Sequence, residues 1–426
     1  MRSYRDLFRT PEFTPFFLAA SAQTVAQTTG GLALGTLVYR ATQSPLLTAV
    51  SMFGSSLAQV LGATFLLSAA DRLPPRAALT GLALVFAAGT AVLALPGLPV
   101  WAVLTVVLAK GLAESVAGGV RWGLLNELLS KDGYLLGRSV FNMMSGVMQI
   151  AGFATGGVLV AALSPRPALL LSAVLYLTAA LGLRLGLTRR PPRAAGRPSM
   201  TATWRTNAVL WSSPPRRHVY LALWIPNGLI VGCESLYVSY APQAAGILFA
   251  CAAFGMLAGD VAVGRLSPPG LRPRLGTPLL LLLAVPYLAF ALHPPLPLAA
   301  ALATLASVGF GANLAQQERL MSLTPGELAG HALGLHSAGM LTMQGVSAAL
   351  AGAVAQLVSP AAAMTALAAG SVAVTLTLAA AGRRWEGRRT AHESSGASPS
   401  TSRSAMSSAH SCAQRRSATM SRSSSP

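Results

Sequence analysis

Charge is what this sequence has little of. Charged residues make up 10% of the 426 positions and hydrophobic residues 53%, where a soluble domain carries about 25% charged residues. The deficit is uneven: long charge-free stretches alternate with short charged knots, which excludes an ordinary soluble fold. Lysine is nearly absent. Lys110 and Lys131 are followed by Gly111 and Asp132, whereas a P-loop needs Gly-Lys followed by Ser or Thr, so no ATP-driven motor of that kind is encoded. Cysteine is scarce as well: Cys233, Cys251 and Cys412 offer neither a disulfide framework nor a metal-ligand spacing, and no metal and no cofactor is expected. H-E-x-x-H, G-x-S-x-G and C-x-x-C do not occur, and the chain is not expected to be an enzyme. The opening Met-Arg-Ser-Tyr-Arg-Asp-Leu-Phe-Arg has no adjacent short apolar region with a cleavage site, so no removable signal peptide is expected.

What the sequence does have is apolar length. About 20 apolar residues in a helix cross the roughly 30 Å hydrocarbon core of a bilayer, and several runs reach that length, Ala361–Gly382 among them. The runs are rich in Ala, Leu and Gly without period-two alternation, which favours helices over a barrel. Pro and Gly clusters such as Pro96-Gly97-Leu98-Pro99 and Pro268-Pro269-Gly270 mark the breaks. Spans are expected at about 13–38, 44–70, 77–96, 99–128, 135–163, 166–187, 219–240, 243–264, 276–293, 297–322, 328–358 and 360–382. The fold class is therefore all-α: a polytopic membrane protein of about twelve transmembrane helices in two pseudo-symmetric six-helix bundles.

The net charge of +19 would suggest nucleic acid, but its location argues otherwise. With twelve spans, one side collects basic residues from Arg2 to Arg274 and the tail, and the other holds only Arg40 and Arg166. That asymmetry is the positive-inside pattern. It predicts cytoplasmic termini in a cell membrane, the lipid bilayer as partner and no nucleic acid. The organisation expected is a bundle at 1–187, a cytoplasmic linker at 188–218, a second bundle at 219–383 and a disordered basic, Ser-rich tail at 384–426. Trp204 and Trp211 lie seven apart in the linker and would share one face of a short interfacial helix. Asp71 with Arg72 after span two is echoed by Asp260 and Arg265 after span eight, and Glu127 by Glu318, at nearly constant offset; this suggests an internal repeat.

Charge inside a membrane is expensive and normally faces a cavity or a partner. Span four carries Lys110, Glu114 and Arg121 on one helical face, either an ion-pair ladder or the wall of a polar cavity with Glu114 as a proton site. Lys110 and Glu114 are four apart and able to pair. Span seven carries Tyr220, Asn227 and Glu234 at seven-residue spacing. Glu234 has no basic residue within a turn of its own helix, which suits either a proton carrier or a carboxylate bonded to another helix. Gln23 and Gln27 in span one, and Asn313 and Gln317 in span ten, are amide pairs at i,i+4. They read as pathway groups or as interhelical glue.

These residues carry a resemblance to the major facilitator superfamily, over about residues 5–385. The segment Leu67-Ser-Ala-Ala-Asp71-Arg72-Leu-Pro-Pro-Arg76 resembles that family's G-x-x-x-D-R-x-G-R-R after span two, with Leu67 for the leading Gly. Lys110-Gly-Leu-Ala-Glu114 aligns with R-x-x-Q-G. Gly152-Phe153-Ala-Thr-Gly156-Gly157 is similar to the exporters' G-P-x-x-G-G with Phe153 for Pro, and its glycines also permit close helix packing. The resemblance implies that spans one, four, seven and ten line a central cavity, and that Asp71, Arg72, Arg76, Glu127 and Asp260 belong to a conformational latch. It implies alternating-access transport of a small-molecule substrate by a monomer, with efflux as the direction, and Glu114 and Glu234 favour protons as coupling ions. An uptake permease, a facilitator and a non-transporting sensor are the alternatives.

Overall fold

The computed structural model describes residues 4–70, 73–129, 131–192, 200–268 and 270–395; among them there is no strand. Eleven of their helices are long and apolar enough to cross a membrane. In chain order these are span 2 (Pro45–Ala70), span 3 (Pro75–Leu93), span 4 (Val100–Leu128), span 5 (Lys131–Ala162) and span 6 (Pro165–Gly186). They continue with span 7 (Pro214–Tyr240), span 8 (Ala245–Leu266), span 9 (Arg274–Leu292), span 10 (Leu296–Ser322), span 11 (Gly326–Leu357) and span 12 (Pro360–Arg383). The remaining one, span 1 (Phe13–Thr42), is 30 residues long, but Gln23, Gln27 and a series of threonines dilute its apolar character. A transmembrane helix tolerates such dilution when its polar face is turned away from lipid.

The boundaries follow local chemistry. Proline opens spans 2, 3 and 6, where its missing N–H costs nothing. Gly97 adopts φ 76° in the turn between spans 3 and 4, a conformation glycine takes freely. The last helix runs to Ser395, past the expected end of span 12, and residues from Ala379 onward form a separate compact unit. Most of the Ser-rich tail expected at 384–426, residues 396–426, lies outside the described residues, as do Asp71 and Arg72.

Spans 1–6 pack among themselves chiefly through the pairs 2–4, 1–6, 3–6 and 1–5, and spans 7–12 through 7–11, 8–10 and 9–10. The two halves meet along spans 2 and 11 and along spans 5 and 8. Odd spans begin, and even spans end, at the end of the bundle that carries Arg76, Arg190, Arg216 and Arg272; we call it the basic end. At the opposite end the halves are fused by apolar packing. One buried cluster unites Leu32 of span 1 with residues of spans 7–12, flanked by Tyr39, Met52, Phe53 and Phe153. Phe153 stacks on Phe249 with ring centroids 4.8 Å apart. Gly157 of span 5 meets Gly246 of span 8 so closely that a Cβ on Gly157 would lie 2.9 Å from the Gly246 Cα. At the basic end the buried clusters stay within one half each, Leu7 to Leu187 in the first and Leu210 to Ala332 in the second.

Candidate functional site

Span 4 and its neighbours enclose a cavity of about 100 Å³. Its polar lining comes from Gln27 of span 1, Ser51, Ser55 and Gln59 of span 2, Thr90 of span 3, Lys110 and Glu114 of span 4, and Tyr176 of span 6. The three span-2 residues recur every four positions, so one helical face points inward. Lys110 Nζ donates to Thr90 Oγ1 at 2.7 Å and lies 5.5 Å from the centre of the Tyr176 ring, within cation–π range. Lys110 and Glu114 do not form the i,i+4 pair their spacing allows. Glu114 instead faces Arg121 at 3.9 Å, and Arg121 donates to Gln23 Oε1 at 3.0 Å. The reason is geometric: Thr90 and Tyr176 take the Lys110 ammonium toward spans 3 and 6, while Arg121 reaches back up its own helix.

The second half has a different set. Span 7 is the most enclosed span, with 78% of its most apolar stretch buried, so its polar groups must find partners within the protein. Pro226 in its middle removes one backbone donor and distorts the turn. Beside it Asn227 Nδ2 donates to Leu223 O at 2.6 Å and to Asn313 Oδ1 of span 10 at 2.7 Å. Glu234 is buried and accepts a long hydrogen bond from Ser307 Oγ of span 10 at 3.5 Å; among the described residues it has no ion pair. Close by, the hydroxyls of Tyr237 and Tyr287 meet at 2.5 Å. Tyr220 donates to Ala332 O of span 11, and Gln317 Nε2 lies 3.3 Å from His336 Nε2 of the same span.

The sequence-derived pathway residues thus fall into two groups. Gln23, Gln27, Lys110, Glu114 and Arg121 join spans 1 and 4, and Asn227, Glu234, Asn313 and Gln317 gather along the contact of spans 7, 10 and 11. Sequence reasoning passed over Ser51, Ser55, Gln59, Thr90, Tyr176 and His336. The four-residue rhythm in span 2 was the available signal for three of them. Ser172 and Tyr176 recur four apart in span 6, and His336 lies in a span that also holds His331, Ser337, Thr342 and Gln344, so these too had local company; Thr90, ten residues from Thr80, carries no pattern.

The packing glycines and the latch residues have plainer surroundings. Gly152 O accepts from Thr29 Oγ1 at 2.9 Å, Gly156 lies against Thr29, and Gly157 meets span 8, so the three seat span 5 on spans 1 and 8. At the basic end Glu127 faces Arg190 at 3.9 Å. Arg190 also pairs with Glu12 at 3.0 Å, and Glu12 accepts from the Thr188 backbone N–H and hydroxyl. In the second half Arg272 pairs with Glu318 at 2.7 Å and donates to Gly264 O at 2.8 Å. Asp260 is exposed and forms no ion pair among the described residues. Arg76 sits at the start of span 3, half-buried.

No protein-family model and no curated protein matches this sequence. Solved structures do. The human organic anion transporter MFSD10 superimposes with a TM-score of 0.62 over 86% of this chain and 98% of that one, at 19% identity. A POT family transporter in complex with a thioalcohol-conjugated peptide gives 0.66 over 87% and 95%, at 11% identity. The fold is that of the major facilitator superfamily. The peptide transporter POT in complex with sulfate agrees, at 0.65 over 90% and 99% and 14% identity. The polar cavity is lined from spans 1, 2, 3, 4 and 6, all of the first half, and the two halves meet where span 2 touches span 11 and span 5 touches span 8.

Proposed function

We propose that this chain is a secondary active transporter that moves a small molecule by alternating access, and that proton-coupled efflux is its mode. One observation carries the reading: a polar, charged cavity lies midway along spans 1, 2 and 4, in a fold whose halves are fused at one end and hold separate cores at the other. The cavity is lined wholly by the first bundle, whose span 2 also meets span 11 of the second, and a polar site at mid-membrane beside such a seam suits rocking transport. The printed activities of the structural neighbours, organic anion and peptide transport, support membrane transport of a small substrate and leave its identity open. With the basic end cytoplasmic, as the loop charges favour, the fusion of the halves at the opposite end fits an inward-facing state, and we read the protein as a monomer of the plasma membrane. The pairs Glu12–Arg190 and Glu127–Arg190 on the first half and Arg272–Glu318 on the second, together with Asp71, Arg72, Arg76 and Asp260 at the ends of spans 2, 3 and 8, are the candidate cytoplasmic latch. Glu234 and Glu114 are the candidate proton carriers. Glu234 has no ion pair to break on changing protonation, which puts it first.

Everted vesicles test the reading. Candidate solutes should accumulate when a proton gradient is imposed and leak back when it is collapsed. Accumulation only in right-side-out vesicles would make the chain an uptake permease, equilibration without a gradient a facilitator, and tight binding without flux a sensor.

The topology gives a separate expectation. Single cysteines beside Arg40 and Arg166 should react with an impermeant maleimide in intact cells, and cysteines at 205 and 216 should react only after permeabilisation. A reporter fused after residue 395 and found outside the cell would overturn the twelve-span orientation.

A further inference from the structure

Lys110 sets the sign of the cavity. Glu114, which also lines it, faces Arg121, so those two charges offset one another. Among the described residues Lys110 forms no ion pair; its partners are a neutral hydroxyl and a ring face. An ammonium has three N–H donors. Thr90 accepts one, Tyr176 offers its ring face to a second, and the third has no partner among the described residues. A lone cation at this depth is costly, and an anion entering from water would satisfy it. The remaining lining adds hydrogen-bonding groups without further net charge: Ser51, Ser55 and Gln59 in one row along span 2, and Gln27 opposite on span 1. Engineered cavities of about 150 Å³ hold benzene, so a cavity of about 100 Å³ takes a smaller solute, a few carbons long.

We propose that the substrate is a short organic anion, a carboxylate of a few carbons bearing a second hydrogen-bonding group. Its carboxylate engages Lys110 and Thr90, and its hydroxyl or keto oxygen faces the span-2 row. This rests on the cavity being the substrate site, as in the reading above. Neither a cation nor a neutral molecule of the same shape satisfies Lys110. A cation would be repelled by it, and a neutral amide offers a carbonyl but no charge.

The probes are lactate, its uncharged isostere lactamide, and 1-amino-2-propanol as the cation, each binding to the purified full-length protein followed by calorimetry. Lactate is expected to bind at least about tenfold more tightly than lactamide, the difference of one charge-assisted hydrogen bond, and 1-amino-2-propanol is expected not to bind. Lys110→Met should abolish lactate binding, with Lys110→Arg retaining part of it. If neither variant yields folded protein, the ranking of the three probes on the unmodified chain decides. Equal binding of lactate and lactamide, preference for the cation, or no lactate binding across the millimolar range overturns the proposal. The transport reading is judged apart from it. A cysteine at Ser55 should become labelled from each side of the membrane in turn as the protein cycles, whichever probe binds. Loss of that alternation would overturn alternating access and leave the ligand ranking standing.

Discussion

Glu234→Gln is expected to reduce gradient-driven accumulation to simple equilibration while leaving substrate exchange intact. Gln keeps the side-chain shape and an oxygen able to accept from Ser307, so packing against spans 9 and 10 should survive. What disappears is the ability to take up and release a proton. Glu234 sits among Cys233, Tyr237, Tyr287 and Ser307, groups that are neutral at ordinary pH, and no cation among the described residues answers its charge. The competing idea, that Lys110 neutralises it, is not met in this structure, because Lys110 is held by Thr90 in the other half. The measurement is accumulation in everted vesicles with an imposed proton gradient, beside counterflow exchange in its absence. A well-expressed Glu234→Gln protein that still accumulates substrate would transfer the coupling role to Glu114. A protein that loses exchange as well would mark Glu234 as structural.

Gly157→Leu is expected to be strongly damaging although it lies outside the pathway. Spans 5 and 8 touch backbone to backbone at Gly157 and Gly246. A Cβ on Gly157 would meet the Gly246 Cα at 2.9 Å and its carbonyl carbon at 3.5 Å, and backbone atoms have no rotamer by which to move aside. Overpacking of this kind costs about 1–3 kcal/mol, here levied on the state in which the halves are fused at this end. A penalty of about that size changes the ratio of the two states by about 5- to 150-fold. If the transport cycle passes through this state, turnover should fall by about fivefold or more. Cysteines placed near Phe153 and Phe249 should meanwhile become more accessible from the end opposite the basic one. Gly182→Ala in span 6, where a Cβ would meet nothing within 4 Å, is the control and should transport normally. Unchanged turnover in a well-folded Gly157→Leu protein would mean the seam is not part of the cycle.

The helices were legible because lipid imposes a strict length and composition on anything that crosses it. Each expected span has its helix, and span 7, whose Tyr220, Asn227 and Glu234 recur at heptad spacing, turns that face toward spans 10 and 11. Partner choice was less legible. Spacing alone allowed Lys110 to pair with Glu114, but Thr90 and Tyr176 arrive from other helices and redirect it, and nothing local to span 4 announces them. The pairing of Glu12 with Arg190 was hidden for the same reason: the turn before span 1 and the segment after span 6 become neighbours through the contact of those two spans. The Gly152, Gly156 and Gly157 series was recognisable as a packing motif, yet its partners, Thr29 on one side and Gly246 on the other, are set by tertiary geometry. His336 lies among His331, Ser337, Thr342 and Gln344 of span 11, and nothing local singles out its contact with Gln317 of span 10.

The segment joining the halves has a mechanical consequence. Its helix, Met200–Ser212, is held against span 7 by Trp211, which stacks on Trp224 at 5.5 Å and on Tyr220 at 6.2 Å. At the other margin Thr188 and Arg190 are held by Glu12 of the first half. Only residues 191–199 separate the two anchor points, and fully extended they reach at most about 30 Å. A segment of that length sets an upper limit on how far its two anchor points can part. Cutting six residues from it would leave a reach of about 10 Å and begin to meter the stroke. Lengthening it should pass unnoticed, since closing a longer loop costs little more, about 0.6 kcal/mol per doubling.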